Sequence, residues 1–93
     1  MNLFEITDKT GRNIHLSSER WKHIRRDHPD VREEEINLTL QKPIKIVDKG
    51  NNKHFYYQYF KYKKISSRFL KVIVNYLNRR GFVITAYFVK SIS

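Results

Sequence analysis

Residues 68–91, RFLKVIVNYLNRRGFVITAYFVKS, hold two apolar runs separated by Asn78-Arg79-Arg80-Gly81. β-branched and aromatic side chains dominate both runs, and these pack better on a pleated strand than around a helix. Successive strand residues point to opposite faces, so each run divides into two sets. In the first, Leu70, Val72, Val74 and Tyr76 oppose Phe69, Lys71, Ile73 and Asn75; the former set is the better core face. In the second, Ile84, Ala86 and Phe88 oppose Val83, Thr85 and Tyr87, and the purely apolar set belongs inside. Arg79-Arg80-Gly81 reads as a three-residue turn with glycine at the left-handed position. Lys71, Asn75, Thr85 and Tyr87 then project together from a face the core does not use.

The same alternation continues upstream. Lys53–Lys63 reads as a strand, Gly50-Asn51-Asn52 as a turn and Ile44–Lys49 as a strand, while Ser66-Ser67 breaks the chain before Arg68. The second strand divides into Phe55, Tyr57, Tyr59 and His54, Tyr56, Gln58; both sets are aromatic, so its orientation stays open. Pro43 and Pro29 close two helical segments. Ser17-Ser18-Glu19 starts one that runs to about His28, with Trp21, Ile24 and His28 on one face and His23 nearly opposite Trp21. Asp30 is placed to cap a second, Val31–Gln41. At the start, Phe4 and Ile6 alternate before the turn Asp8-Lys9-Thr10-Gly11, and Ile14 and Leu16 follow it. The expectation is one α+β domain over residues 1–93: an N-terminal β-hairpin and two helices packed on a four-stranded antiparallel β-meander.

The charge is unevenly placed. Residues 1–47 carry nine Lys/Arg against eight acids; residues 48–93 carry ten against Asp48 alone, together with all six tyrosines. The formal net charge is +10. A basic surface binds phosphates by counterion release, and flat rings stack on unpaired bases at about 1–3 kcal/mol each. Single-stranded nucleic acid is therefore the expected partner, and an acidic protein suits the same field. There are no cysteines, which excludes disulfides and thiolate metal sites and suits a cytoplasmic protein. No apolar run approaches the roughly 20 residues of a membrane helix, and MNLFEITDK lacks a long apolar stretch, so no membrane association is expected.

Four histidines are present, at 15, 23, 28 and 54. None stands in a metal-binding pattern such as H-E-x-x-H, and His23 and His28 lie about 140° apart on a helix, so no metal or other cofactor is expected. Metal-free RNA cleavage takes a proton from the ribose 2′-hydroxyl, protonates the leaving 5′-oxygen and stabilises a crowded phosphorane. Histidine suits the proton steps, because it titrates near pH 6.5, and lysine or arginine the charge. His28, before Pro29, can instead serve only the last helical carbonyls. A lysine inside a strand of Phe, Leu, Val and Ile, as Lys71 is, costs more than a surface lysine.

Taken together, Ile14-His15-Leu16-Ser17-Ser18-Glu19-Arg20-Trp21-Lys22-His23-Ile24 and Asp27-His28-Pro29-Asp30 resemble the "ERWxHI…HPE" helix of phage- and mobile-element-associated nuclease-like domains. These domains belong to the barnase–EndU–colicin–RelE superfamily. Ile36 to Pro43 resembles its second helix, and Phe55-Tyr56-Tyr57, Leu70 to Val74 and Ile84 to Tyr87 its strands. The similarity spans about residues 12–90. It implies helices followed by a four-stranded antiparallel sheet and metal-independent RNA cleavage, often by toxins, with an acidic antitoxin or immunity protein as partner. It also implies a catalytic set of His23 as acid/base with His28 beside or supporting it, Lys71 at the phosphorane, and Thr85 and Tyr87 binding the phosphate or aiding proton transfer. Asp30 stands where glutamate is usual, and Gln58 where a basic residue would be comfortable. The phosphate site is therefore expected to rely more on Lys61, Lys63 or Arg68, within an RNA-binding set of Tyr56, Tyr57, Lys61, Lys63, Arg68 and Asn75.

The expected activity is that of a metal-independent endoribonuclease leaving a 2′,3′-cyclic phosphate. Two alternatives share the composition: a non-catalytic module for single-stranded RNA, and a basic interaction domain for an acidic protein.

Overall fold

The computed structural model describes residues 2–63 and 66–92. Its elements are β1 (Asn2–Thr7), β2 (Asn13–Ser17), α1 (Ser18–Asp27), α2 (Glu33–Gln41), β3 (Lys45–Gly50), β4 (Lys53–Tyr59), β5 (Phe69–Leu77) and β6 (Arg80–Val89). The class is α+β, with two helices, but the sheet departs from the expected one. All six strands join in the order β1-β2-β6-β5-β4-β3. The last four form the antiparallel meander, and the N-terminal hairpin extends it because β2 pairs in parallel with β6, Ile14 beside Gly81 and His15 beside Phe82. The four-stranded antiparallel sheet is thus six-stranded and mixed. Pairing with β2 satisfies backbone groups at the start of β6 that an open edge would leave bare. It also brings Ile14 and Leu16 into the core, where both are fully buried.

Ser17 caps α1, its hydroxyl accepting from the Arg20 N–H at 3.1 Å. The helix ends where the His28 N–H reaches the Ile24 carbonyl at 2.7 Å and Pro29 follows. α2 begins two residues later than expected. Val31 is buried in the core on the connecting segment, and Arg32 rather than Asp30 holds the cap position, its N–H bonded to Glu35 Oε1 at 2.8 Å. Ile24, Val31, Ile36 and Leu40 then meet Leu16, Tyr56, Leu70, Val72, Val74 and Ala86 from one face of the sheet.

The β5–β6 connection differs most from its reading. Leu77 pairs with Arg80, so the turn has two residues, Asn78 (φ 53°) and Arg79 (φ 70°), both left-handed as a type I′ hairpin requires. Gly81 lies in the strand because nothing larger fits: a Cβ there would stand 2.8 Å from Tyr76 Cε1 and 3.0 Å from side-chain carbons of Ile14 and Val74. The register then shifts between Ile73 and Val74. Val83 faces Val74 and Thr85 faces Ile73, leaving Ile84 as the extra residue of a bulge. Val83, expected outside, is therefore core, and Ile84 loses its expected core row. Beyond the bulge Ala86 points into the core, and Thr85 and Tyr87 point away from it.

Pairing also fixes β4. Tyr56 lies between Ile46 and Val72 on the core face, so Phe55, Tyr57 and Tyr59 share the other. The strand stops at Tyr59, short of Lys63, because Phe60 turns into the core. Beneath the sheet, the buried Asp8 carboxylate accepts from Thr10 N–H (2.9 Å), Thr10 hydroxyl (2.7 Å) and Arg12 N–H (2.8 Å). The phenols of Tyr56 and Tyr76 reach its other oxygen and contact each other. This ties the β1–β2 turn to β4 and β5. Burial pushes the Asp8 carboxyl up, but these hydrogen bonds outweigh it and hold the group below its ordinary range. Both phenols are pushed up, first by burial. Among the described residues no helix is long and apolar enough to cross a membrane.

Candidate functional site

The face opposite the core is built in rows. Tyr57, Lys71 and Tyr87 form one, Phe55, Ile73 and Thr85 the next, and Lys53, Asn75, Phe82 and His15 a third. β2 parts from β6 after His15 and Phe82, and α1 continues against β6. That path carries the C-terminus of α1 to the second half of β6, where the His28 ring stacks on Tyr87 with centroids 5.3 Å apart.

Lys71 completes the cluster. Its Nζ stands 5.5 Å from the Tyr87 ring centre and 4.0 Å from that of Phe55, and Lys49 Nζ lies 5.5 Å from Phe55 as well. Among the described residues Lys71 has no carboxylate partner. An ammonium held by aromatic faces keeps its three N–H donors for an incoming anion. A phenol, an imidazole and a cation thus border one half-buried patch, with the Thr85 hydroxyl one row along.

His23 stands elsewhere. It is exposed on α1 beside Glu19, Lys22 and Arg26, and Arg26 donates to its Nδ1 at 3.0 Å. Of the five expected catalytic residues, three are in mutual contact through Tyr87, Thr85 shares their face, and His23 points to solvent along the helix.

The expected RNA-binding residues divide as sharply. Tyr56 is 1% exposed within the core, and its hydroxyl is committed to Asp8 and Tyr76, so it cannot stack on a base. Tyr57 is on the open face, yet it too is only 1% exposed and offers no ring surface. Lys63 is occupied: it donates to the Asp30 carbonyl at 2.6 Å and pairs with the buried Glu35 at 3.1 Å. The Tyr62 phenol donates to the same carboxylate; burial first, then Glu35, push it up to about 12. Lys61 is exposed in the turn after Phe60, Arg68 donates to the Tyr59 hydroxyl at 3.1 Å, and Asn75 is half-buried on the open face.

Sequence reasoning missed the rings that are reachable. Tyr59 and Phe82 are exposed and Phe55 is half-buried, all on the open face. His15 was passed over as well; it stacks on Phe82 at 5.5 Å with Nδ1 3.6 Å from Glu5. Phe82 and Tyr59 flank uncharged strand positions, and only the register identifies their face. Among the described residues no three His, Asp or Glu side chains converge as metal ligands. Comparison with models of known protein families, with curated proteins and with solved structures finds no match to this chain.

Proposed function

We propose that the chain is a metal-independent endoribonuclease whose site is the His28–Tyr87–Lys71 cluster with Thr85. The observation that carries this reading is the Tyr87 ring, with His28 stacked on it and the Lys71 ammonium 5.5 Å from its centre. His28 takes the proton from the 2′-hydroxyl, a role an imidazole nitrogen can fill as a base. Lys71 neutralises the phosphorane, the Tyr87 phenol and Thr85 hydroxyl donate to phosphate oxygens, and the 5′-oxygen takes a proton from solvent as its bond to phosphorus breaks. Phe55, Tyr59 and Phe82 hold flanking bases. The resemblance of the first helix and the strands to barnase–EndU–colicin–RelE nucleases supports the same chemistry. It extends the proposal to a cytoplasmic, toxin-like enzyme held in check by an acidic antitoxin or immunity protein.

A second reading is a non-catalytic module for single-stranded RNA. The position of His23 favours it, since it leaves one histidine at the cluster where proton removal and delivery call for two groups. A labelled RNA incubated with the protein in EDTA separates the two. The nuclease produces fragments ending in a 2′,3′-cyclic phosphate, and Lys71→Ala slows their formation about 10²–10³-fold, as loss of one oxyanion donor does elsewhere. Intact RNA, bound with a steep salt dependence, would overturn cleavage and leave the module. No binding even at low salt would favour an acidic protein partner.

A further inference from the structure

The open face does not end at its third row. The next row is Leu77, Arg80 and Asn13, and beyond it the β1–β2, β3–β4 and β5–β6 turns gather at one end of the sheet. They enclose a cleft of about 730 Å³ bordered by Arg12, Asn52, Tyr76, Asn78 and Arg79, with Leu77 and Asn13 forming its rim toward the open face. The Arg12 guanidinium lies 4.6 Å from the Tyr76 ring centre, which fixes it at the cleft wall. The Arg79 side chain has no hydrogen bond or ion pair among the described residues, and the residue is exposed in the two-residue turn. Among the described residues no acidic one lines the cleft, whose border holds two arginines and three asparagines.

We propose that this cleft is a second phosphate subsite, which takes a backbone phosphate of the same RNA strand that the His28–Tyr87–Lys71 cluster cleaves. The inference rests on the proposed function for the identity of the strand. The fork geometry of guanidinium matches phosphate oxygens in pairs, and amides supply neutral donors beside it. Along β5, Leu77 is six residues from Lys71, about 20 Å at strand rise. At about 3.4 Å per stacked nucleotide, a strand of about six nucleotides reaches from one site to the other. Phe55, Phe82 and Asn75 lie between them.

The chemistry that binds a strand phosphate also binds a free nucleotide, so the test uses both. The probes are 2′-O-methyl oligonucleotides of three and twelve nucleotides, which lack the attacking hydroxyl, and adenosine monophosphate. Binding is measured over a salt series for the wild-type chain, Arg79→Asn, Arg12→Gln and Lys71→Ala. Asparagine accepts the positive φ at position 79, and Arg12→Gln keeps the backbone N–H bonded to Asp8, so neither variant removes a turn. The proposal expects the 12-mer to bind more tightly than the trimer. Each arginine variant should weaken the 12-mer about tenfold, the worth of one charge-assisted bond, and flatten its salt slope by about one phosphate. Wild-type affinity and slope for the 12-mer in both arginine variants would overturn the subsite; if Lys71→Ala still weakened binding, the reading of the open face would stand. If Lys71→Ala bound like wild type too, that reading would fall with it. Adenosine monophosphate binding as tightly as the 12-mer, and lost in Arg79→Asn, would make the cleft a mononucleotide pocket and overturn the strand assignment.

Discussion

An enclosed carboxylate is tolerable only when its lone pairs are filled, and Asp8 meets that condition through donors from three parts of the chain. Its own turn provides Thr10 and Arg12, while Tyr56 and Tyr76 arrive from β4 and β5. Because the folded-state pKa lies below the unfolded one, the stabilisation is full above the unfolded value, near 4. It is lost as pH falls through the lower folded value. Asp8→Asn should lower unfolding free energy by about 1–3 kcal/mol in urea at pH 7 and flatten the acid limb of the stability curve. An unchanged acid limb would mean that another carboxylate governs it. Asp8-Lys9-Thr10-Gly11 reads as a turn from sequence, and it is one, but partners 48 and 68 residues away leave no local trace. The same limit hid the fate of Tyr56, whose neighbours Phe55 and Tyr57 are equally aromatic.

At the level of elements, α1 was legible because its signals are local: a serine cap, an apolar face and a proline stop. The β5–β6 hairpin was legible in outline and misread in detail. Glycine at 81 suggests the left-handed turn position, yet Asn78 and Arg79 take it, and Gly81 serves the close approach of Tyr76. Gly81→Ala should therefore cost about 1–3 kcal/mol through crowding against Tyr76, seen as a lowered midpoint in thermal unfolding. Wild-type stability would show that the Tyr76 ring yields without cost. The bulge at Ile84 has a consequence for the proposed site. Without it, a two-residue turn would set Ile84 and Ala86, not Thr85 and Tyr87, on the face with Lys71. The expected face for these residues is thus reached by a shorter turn and an extra strand residue.

For the molecule as a whole, charge asymmetry and the α+β class were readable from composition and period, whereas the parallel β2–β6 pairing was not. It joins segments more than sixty residues apart, and neither segment changes its own pattern to announce it. That pairing decides the site. By releasing β6 after three pairs, β2 lets α1 run beside the strand and deliver His28, not His23, to Tyr87. The helical wheel separated the two histidines correctly, but it could not say which of them the sheet would meet. The central claim is tested most directly by comparing kcat/KM of His28→Ala and His23→Ala on one RNA in EDTA. The site described here predicts a loss of about 10²–10⁴-fold for His28→Ala, as for a proton-transfer group, and a change within about twofold for His23→Ala, as for a surface substitution. The reverse order, with His23→Ala inactive and His28→Ala near wild type, would contradict it.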